Sequence, residues 1–351
     1  MSADSEDHQH IVISRTDSIG DVMLTLPVAG MLKKHLPNCK ISFLGRAYTK
    51  AIIENCEHVD QFLDWDQIAD AKGKDQLRAV LEFKADVIIH VFPVKEIARL
   101  AKKAEIPMRI GTTHRVFHLN TCNKLLNLGR KNSNLHETQL NLKLLTPLGI
   151  HEEVSLEEIP KLYGFTSKNT LTPDGQKALD HSRFNLIIHP RSKGSAREWG
   201  VENYATLLHI LPKDRFNVIL TGTKEEGAAI RGKLYADNPA LTDLTGKLTL
   251  EELINFIGQA DGLLAASTGP LHIASALGKN AVGLYAPMRP IHPGRWAPVG
   301  PQAKHFVLHK KCSDCKTNGS CACIQAIEPE EVKAYLLGVA KSAIKSDDMT
   351  V

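Results

Sequence analysis

Ile11-Val-Ile-Ser-Arg-Thr-Asp-Ser-Ile-Gly-Asp21 is the stretch that first indicates the fold of this chain. Its apolar start at 11–14 predicts a buried strand, and Gly20 permits a tight turn into a helix predicted over 21–35. The same order of short apolar strand, polar turn and amphipathic helix returns after Phe184–His189 and after Gly262–Ala266. Strands that alternate with helices are typical of a parallel sheet covered by helices.

The alternation stops once and then restarts. Residues 148–172 are acidic, contain Pro160 and Gly164 and show no strong periodicity, so we interpret them as a linker. Two α/β halves predict two doubly wound, Rossmann-like domains facing each other across a cleft, and a length of 351 residues also favours two domains. The predicted parts are a disordered tail at 1–10, an N-terminal domain at 11–165, a C-terminal domain at 173–335, and a C-terminal helix and tail at 336–351.

Composition excludes several classes of protein. Hydrophobic residues make up 43% and charged residues 23% of the chain, which is typical of a globular protein rather than a disordered or fibrous one. No apolar run reaches the roughly 18–20 residues that span a bilayer. The polar, acidic start is unlike a signal peptide or an anchor. We therefore expect a cytoplasmic protein.

Seven cysteines in a chain of this length do not indicate a disulfide scaffold. Four of them form a C-x₂-C-x₅-C-x-C cluster, namely Cys312, Cys315, Cys321 and Cys323. The cluster could bind zinc, which prefers four ligands in a tetrahedron, although the last pair is tightly spaced. It could equally contain reduced structural thiols or disulfides, and the sequence leaves these three alternatives open.

The net charge of +4 is too small to identify a partner, but its distribution is uneven. Residues 99–131 contain eight Lys or Arg and a single acid, Glu105. Such a stretch can attract an anionic substrate, or it can be a solvated basic face without a ligand. Nucleic acid is disfavoured, because aromatic residues that could stack on bases do not alternate with the cations.

Ligands of doubly wound sheets bind beyond the carboxyl ends of the strands, so four loops that follow predicted strands are candidate sites. In the first loop, Asp21 could cap a helix N-terminus or act as a general base, and Asp17 and Ser18 lie in the same turn. The second loop, residues 189–199, contains three cations among small and hydroxyl residues. It could bind phosphate or be a polar surface loop, and it lacks the Walker spacing.

The third loop contains Glu225 and Glu226, which could accept hydrogen bonds from a ribose diol or compensate a helix dipole. The fourth loop contains Ser267-Thr-Gly-Pro270, a well-formed helix start whose free N–H groups could receive a diphosphate without a metal. His272, one turn into that helix, could face the cleft or pack against the sheet.

Several segments occur in the order found in a known family. They are Ile19-Gly-Asp-Val22 with Leu24-Thr-Leu-Pro27, the loop at 189–199, Gly222-Thr223, Ser267-Thr-Gly-Pro-Leu-His-Ile-Ala274, and Cys312-x-x-Cys315 followed by Ile327-Glu-Pro-Glu-Glu-Val332. Over residues 11–335 the chain resembles glycosyltransferase family 9, the bacterial ADP-heptose:lipopolysaccharide heptosyltransferases. The resemblance implies a GT-B fold, with the acceptor on the N-terminal domain and the nucleotide sugar on the C-terminal one. It also implies an inverting transfer that needs neither a metal nor a cofactor.

The resemblance also implies a role for each candidate residue. Asp21 matches the base that deprotonates the acceptor hydroxyl, and Arg197 matches a phosphate-binding Lys or Arg. The residues expected to bind the donor are Ser192, Arg197, Gly222, Glu225 or Glu226, Ser267, Thr268, Gly269 and His272. Those expected to bind the acceptor are Arg15, Ser18, Gly20 and Arg115. Many members have Asp where this chain has Ser267, so the identity of the transferred sugar stays open.

The favoured function is therefore transfer of a heptose, or a related sugar, from ADP-heptose to an anionic lipopolysaccharide inner-core acceptor. The basic segment at 99–131 could bind by charge to the cytoplasmic face of the inner membrane. Two alternatives are a nucleotide-sugar epimerase of GT-B fold and a non-catalytic protein that binds a nucleotide sugar. Neither nucleic acid nor a metal ion is an expected partner.

Overall fold

A computed structural model describes residues 9–130, 132–234, 238, 241–308 and 321–347, with side chains as far as Lys341. The predicted tail at 1–10 lies outside the described residues apart from Gln9 and His10, and so do Cys312 and Cys315. The chain forms two compact units, Met1–Thr166 and Ser167–Val351.

The N-terminal unit contains a six-stranded parallel sheet in the order β3-β2-β1-β4-β5-β6. Its strands are β1 His10–Ser14, β2 Lys40–Gly45, β3 Gln61–Asp64, β4 Val87–His90, β5 Met108–Thr112 and β6 Lys124–Leu126. Its α-helices are α1 Ile19–Met23, α2 Leu26–His35, α3 Lys50–Glu54, α4 Trp65–Asp70, α5 Lys74–Leu81, α6 Lys95–Lys103, α7 Val116–Thr121 and α8 Glu137–Leu142. Short 3₁₀ helices lie at Ala47–Thr49, Lys143–Leu148 and Ile159–Leu162.

Strand β1 lies in the interior of this sheet, between β2 and β4. Ile13 pairs with Phe43 and Ile89, and all three side chains are buried. A parallel strand covered on both faces buries every side chain, which is why this segment is a continuous apolar run rather than an alternating one. The register places Ser14 and His90, the last residues of β1 and β4, side by side at the carboxyl edge.

The C-terminal unit contains a second six-stranded parallel sheet, in the order β12-β11-β10-β7-β8-β9. Its strands are β7 Phe184–His189, β8 Phe216–Leu220, β9 Thr242–Asp243, β10 Gly262–Ala266, β11 Asn280–Tyr285 and β12 Ala303–Val307. Its helices are α9 Pro173–Ala178, α10 Val201–Ile210, α11 Lys224–Leu234, α12 Leu250–Gln259, α13 Gly269–Ala276, α14 Pro293–Trp296, α15 Ala322–Gln325 and α16 Pro329–Asp347. The predicted domain limit after residue 335 falls within α16.

The predicted α/β class, with one doubly wound parallel sheet in each half, is confirmed. Strands β7 and β10 have the predicted bounds. The sequence does not predict β6, β9 and β12, which lie at sheet edges. An edge strand is partly solvated, so it lacks the continuous apolar run that marks an interior strand; β12, for example, exposes Lys304 and His305.

The helix predicted over 21–35 is divided into α1 and α2. Pro27 is the physical reason, because its ring cannot donate a backbone hydrogen bond and clashes with the carbonyl four residues earlier. Helix α8 similarly ends at Leu142 and passes into the 3₁₀ helix Lys143–Leu148, which contains Pro147.

Residues 148–166 belong to the N-terminal unit, as the predicted domain at 11–165 has them as far as residue 165, and are not a linker between the units. Ile159 and Tyr163 are buried. The carbonyl oxygen of Leu162 lies 2.1 Å from the position that a Cβ at Gly30 would occupy, so this segment lies directly on α2. The acidic residues of the segment interrupt its apolar pattern, so the sequence did not predict that one side of it is buried.

His90 is a buried titratable side chain at the carboxyl edge of the first sheet. It is 1% exposed, and neither of its ring nitrogens has a hydrogen-bond partner among the described residues. The ring of His118 lies 5.5 Å away between centroids. Burial lowers the pKa of His90 to about 3, and the neighbouring charge of His118 adds to the effect. At a pH between about 3 and 6.5, His90 is therefore mostly neutral in the folded protein but mostly protonated in the unfolded chain.

This difference in pKa predicts that His90→Leu flattens the pH dependence of stability. Between about pH 6 and pH 4, His90 binds a proton in the unfolded chain but not in the folded protein. The contribution of His90 therefore lowers the wild-type free energy of unfolding by about 1.4 kcal/mol for each unit by which the pH is lowered. Above about pH 6.5 the term vanishes. Urea unfolding of both proteins across this range measures the difference, and parallel curves would refute the assignment.

Candidate functional site

The loop after β1 contains a buried guanidinium. Arg15 is 3% exposed, and its Nε donates to Asp17 Oδ1 at 2.7 Å. Its Nη2 donates to Asp21 Oδ1, and its Nη1 lies 3.3 Å from Glu137 Oε1. Burial opposes the charge of Arg15, but the three carboxylates outweigh that cost and raise its pKa. Arg15, expected to bind the acceptor, thus directs all three donor groups at carboxylates of its own chain.

Asp21 lies in the first turn of α1, and its side chain is 19% exposed. One carboxylate oxygen accepts from Arg15 and the other from the hydroxyl of Ser18. Ser18 is the N-cap residue of α1, so the interpretation of Asp21 as a helix cap is wrong. Gly20 precedes Asp21 within α1. The loop therefore fixes the orientation of a partly exposed carboxylate.

Asp17 is a second carboxylate on the same guanidinium, and its side chain is 21% exposed. Burial raises the pKa of Asp17 to about 6, although the charge of Arg15 opposes the increase. The hydroxyl of Tyr48 donates to the backbone carbonyl of Asp17, which ties the loop to the segment after β2. The site thus contains two neighbouring acids in different environments.

Glu137 is a residue of this site that the sequence analysis missed. It lies at the start of α8, its side chain is 2% exposed, and it accepts hydrogen bonds from both Arg15 and Arg130. Arg130 also donates to Asn141, whose amide donates to the carbonyl of Leu24 at 3.0 Å. Helix α8 is therefore hydrogen-bonded to the break between α1 and α2. Arg115, expected to bind the acceptor, is exposed at the N-cap of α7, outside this network.

Three of the predicted donor loops lie at one edge of the second sheet. Strand β7 pairs with β10 on one side and with β8 on the other, and all three are parallel. The loops that follow them therefore leave from the same carboxyl edge, which is where ligands bind in such sheets.

The loop after β10 ends at the N-terminus of α13. Thr268 is the N-cap residue, is 5% exposed, and its Oγ1 has no hydrogen-bond partner among the described residues. Pro270 follows Gly269 in the first turn. Ser267 is half-buried. His272 is 3% exposed, so it lies inside the unit.

The loop after β7 is ordered by its own acid. Ser192 donates from both its backbone N–H and its hydroxyl to Glu198 Oε1, at 2.8 and 2.9 Å. Arg191 forms an ion pair with the other oxygen of Glu198. Trp199 is fully buried and donates to the carbonyl of Ile327. Arg197 lies between these anchors and is half-exposed.

The loop after β8 separates the two glutamates that the sequence could not distinguish. Glu226 Oε2 accepts from the N–H of Thr223 at 2.8 Å, and Thr223 Oγ1 accepts from the N–H of Glu226. This reciprocal pair is a capping box. Glu225 is exposed, and hydrogen bonds from its own backbone N–H and from Thr223 lower its pKa. Gly222 has a φ of +152°, which favours glycine.

His189, the last residue of β7, is a further titratable group beside this loop. Its Nδ1 is 3.0 Å from Thr221 Oγ1. Burial lowers the pKa of His189 to about 4, while the charge of Glu226 opposes that change. The sequence placed His189 in the loop without assigning it a role.

No group of three or more His, Cys, Asp or Glu in the described ranges is arranged to bind a metal ion. Cys321 and Cys323 are buried, and their two partners in the predicted cluster lie outside those ranges, so the three alternatives for the cluster stay untested. Among the helices of the described part, none is both long and apolar enough to cross a membrane.

Two parallel six-stranded sheets, with polar loops at their carboxyl edges, define a protein of the doubly wound α/β class. The model of glycosyltransferase family 9 (heptosyltransferase) matches residues 76–323, and the chain belongs to this family. It is therefore a glycosyltransferase, and the resemblance found in the sequence is confirmed.

Relatives and solved structures agree with this membership. Lipopolysaccharide heptosyltransferase 3 of Escherichia coli is 24% identical over 285 residues, which cover 76% of this chain and 80% of the relative. The structure of E. coli ADP-heptose LPS heptosyltransferase II has a TM-score of 0.74 at 17% identity, covering 95% of this chain and 99% of that one. E. coli heptosyltransferase WaaC with ADP-2-deoxy-2-fluoro heptose has a TM-score of 0.67 at 16% identity, covering 94% and 99%. The fold is the GT-B fold of these enzymes.

The buried ion network predicts a large effect of Glu137→Ala on stability. The substitution leaves Arg15 and Arg130 without their shared carboxylate, and removing one partner of a buried ion pair costs about 3–5 kcal/mol. Urea unfolding measures the loss. Glu153→Ala is the matched control, because Glu153 is 87% exposed in its pair with Lys143. Equal stabilities for the two variants would contradict the proposed importance of the network.

Proposed function

We propose that this protein transfers a heptose from ADP-heptose to the inner core of a lipopolysaccharide precursor, with inversion at the anomeric carbon and without a metal ion. Asp21 is the proposed general base. The observation that carries this proposal is the Asp21 carboxylate itself, which is partly exposed and bound at both oxygens by Arg15 and Ser18.

The geometry of Asp21 suits proton abstraction. A carboxylate has about four lone-pair sites, of which Arg15 and Ser18 occupy two. The remaining sites can accept a hydrogen bond from an acceptor hydroxyl and then its proton. A base held in this orientation does not have to reorient before it accepts the proton. General-base catalysis typically increases the rate by about 10²–10⁴-fold.

The proposed diphosphate site is the N-terminus of α13. The unpartnered, buried hydroxyl of Thr268 is a donor that a phosphate oxygen would satisfy. Backbone N–H groups of the first turn and the positive end of the helix dipole add to it. Arg197, in the adjacent loop, supplies a full positive charge to the leaving ADP, whose negative charge grows during transfer. These donors give a physical basis for transfer without a metal.

The remaining contacts to the nucleotide sugar are assigned from the exposure of the residues in the loop after β8. Glu226 is half-buried and forms the capping box with Thr223, whereas Glu225 is exposed, so we assign the ribose diol to Glu225. Gly222 leaves room for the ribose at the turn. An ADP-heptose donor is supported by the structure of the similar E. coli heptosyltransferase WaaC, which was solved with ADP-2-deoxy-2-fluoro heptose. Ser267, in place of the Asp of many members, makes the sugar the least constrained part of the proposal.

The second part of the proposal concerns the acceptor. A relative is named lipopolysaccharide heptosyltransferase 3, and we propose an anionic lipopolysaccharide precursor as the acceptor of this protein. The basic segment from Arg99 to Arg130 in the N-terminal unit suits phosphates and sugar-acid carboxylates of that acceptor. We propose that the protein acts at the cytoplasmic face of the inner membrane, where that precursor would lie.

The test of the function is acceptor-dependent ADP release by the wild type and by Asp21→Asn. We expect release from ADP-heptose only when a lipopolysaccharide precursor is present, and a decrease of at least about 10²-fold in turnover for the variant. Its affinity for ADP should be unchanged, since Asp21 is assigned to the acceptor.

Asp70→Asn is the matched control, because Asp70 is an exposed carboxylate of the same unit. Turnover of Asp21→Asn close to that of the control would remove Asp21 from the mechanism. Release of ADP without an acceptor would favour an epimerase-type reaction, and tight ADP binding without any release would favour a non-catalytic binding protein.

A further inference from the structure

Helix α7 presents an apolar face to solvent. Val116 is 80% exposed and Leu119 is 55% exposed, and residues three apart lie on the same side of a helix. The opposite side of α7 faces the unit interior, where His118 is fully buried and Thr121 is 6% exposed. The exposed side chains of α7 are therefore placed outward by the same packing that orders the helix.

A third exposed apolar residue lies close in sequence. Leu125, on the edge strand β6, is 37% exposed, so three large apolar side chains are exposed within ten residues. Exposed apolar residues that occur singly need no explanation, but a group of them marks an interaction surface. We call α7 and β6 together the α7–β6 surface.

Cations lie on, or next to, the same two elements as these apolar side chains. Arg115 is the N-cap residue of α7, and Lys124 is exposed on β6. Lys102, on α6, donates from its Nζ to the carbonyl of Asn120 at 2.7 Å, which places a third cation beside the C-terminal end of α7. The single acid of the described segment 99–130 is Glu105. The α7–β6 surface therefore combines exposed apolar side chains with positive charge.

We propose that the α7–β6 surface docks the protein on an anionic phospholipid bilayer. Val116 and Leu119 enter the boundary between headgroups and acyl chains, and Lys102 and Lys124 contact lipid phosphates. The proposal rests on the proposed function in one respect: it supplies the contact with the membrane in which a glycolipid acceptor would lie. A bilayer is the occupant that fits the charge, since a second copy of the same surface would set like charges against each other.

Vesicle sedimentation of the purified full-length protein tests this surface. The probes are vesicles of phosphatidylcholine alone and of phosphatidylcholine mixed equally with phosphatidylglycerol, at low and high salt. We expect binding to the anionic vesicles at low salt, weaker binding at high salt, and little binding to neutral vesicles.

Two double variants identify the residues responsible. Val116→Ser with Leu119→Ser should lower the vesicle partition coefficient by about tenfold or more. Lys102→Gln with Lys124→Gln should lower it and reduce its salt dependence. The control is Leu81→Ser with Leu156→Ser, because these leucines are 50% and 40% exposed in the same unit but lie outside the surface.

Wild-type-like binding by the Val116 and Leu119 variant would overturn the proposal, and so would equal binding to both kinds of vesicle. Light scattering measures the molar mass of both proteins in solution. A smaller molar mass for that variant than for the wild type would also overturn the proposal, because the surface would then be a contact between copies of the chain. Turnover on a soluble acceptor without acyl chains separates this proposal from the proposed function. The variant should keep that turnover, whereas loss of vesicle binding reports on the surface alone.

Discussion

The guanidinium of Arg15 is the group on which the arrangement of the N-terminal unit's site depends. A cation at this depth is stable only with close counter-charges, because desolvation of an unpaired charge costs several kcal/mol. The chain supplies three carboxylates: Asp17 from the loop after β1, Asp21 from α1 and Glu137 from α8. Their positions are therefore set by the need to satisfy one buried charge. Asp21 gains a fixed orientation from that requirement, while one edge of its carboxylate stays accessible.

The C-terminal unit follows a different physical logic. It presents donors rather than acids at the carboxyl edge of its sheet: the hydroxyl of Thr268, the N-terminus of α13 and Arg197. Its acids are used within the loops, since Glu198 orders the loop after β7 and Glu226 caps α11. The N-terminal unit thus suits removal of a proton and the C-terminal unit suits binding of an anion. Those are the two requirements of glycosyl transfer to a hydroxyl from a nucleotide diphosphate sugar.

The fold could be predicted because interior parallel strands and amphipathic helices leave local patterns, as in β7 and β10. The break between α1 and α2 could also be predicted from the sequence, because Pro27 interrupts the helical hydrogen bonds of the turn that precedes it. The capping box of Thr223 and Glu226 has a recognisable spacing as well, and it would have separated Glu226 from Glu225. Glu137 is different, because it lies 122 residues from Arg15 in sequence, and only the tertiary fold brings the two together. The same holds for the exposed side of α7, which depends on which side of a short helix packs against the unit.

We propose that Asp21, rather than Asp17, removes the acceptor proton, and turnover of Asp17→Asn distinguishes the two acids. Both acids bind the same guanidinium, but burial raises the pKa of Asp17 to about 6. The measurement is turnover of Asp17→Asn between about pH 6 and pH 8, beside wild type and Asp21→Asn. We expect Asp17→Asn to keep turnover within about tenfold of wild type and to lose any inflection near pH 6. A loss as large as that of Asp21→Asn, or larger, would contradict it.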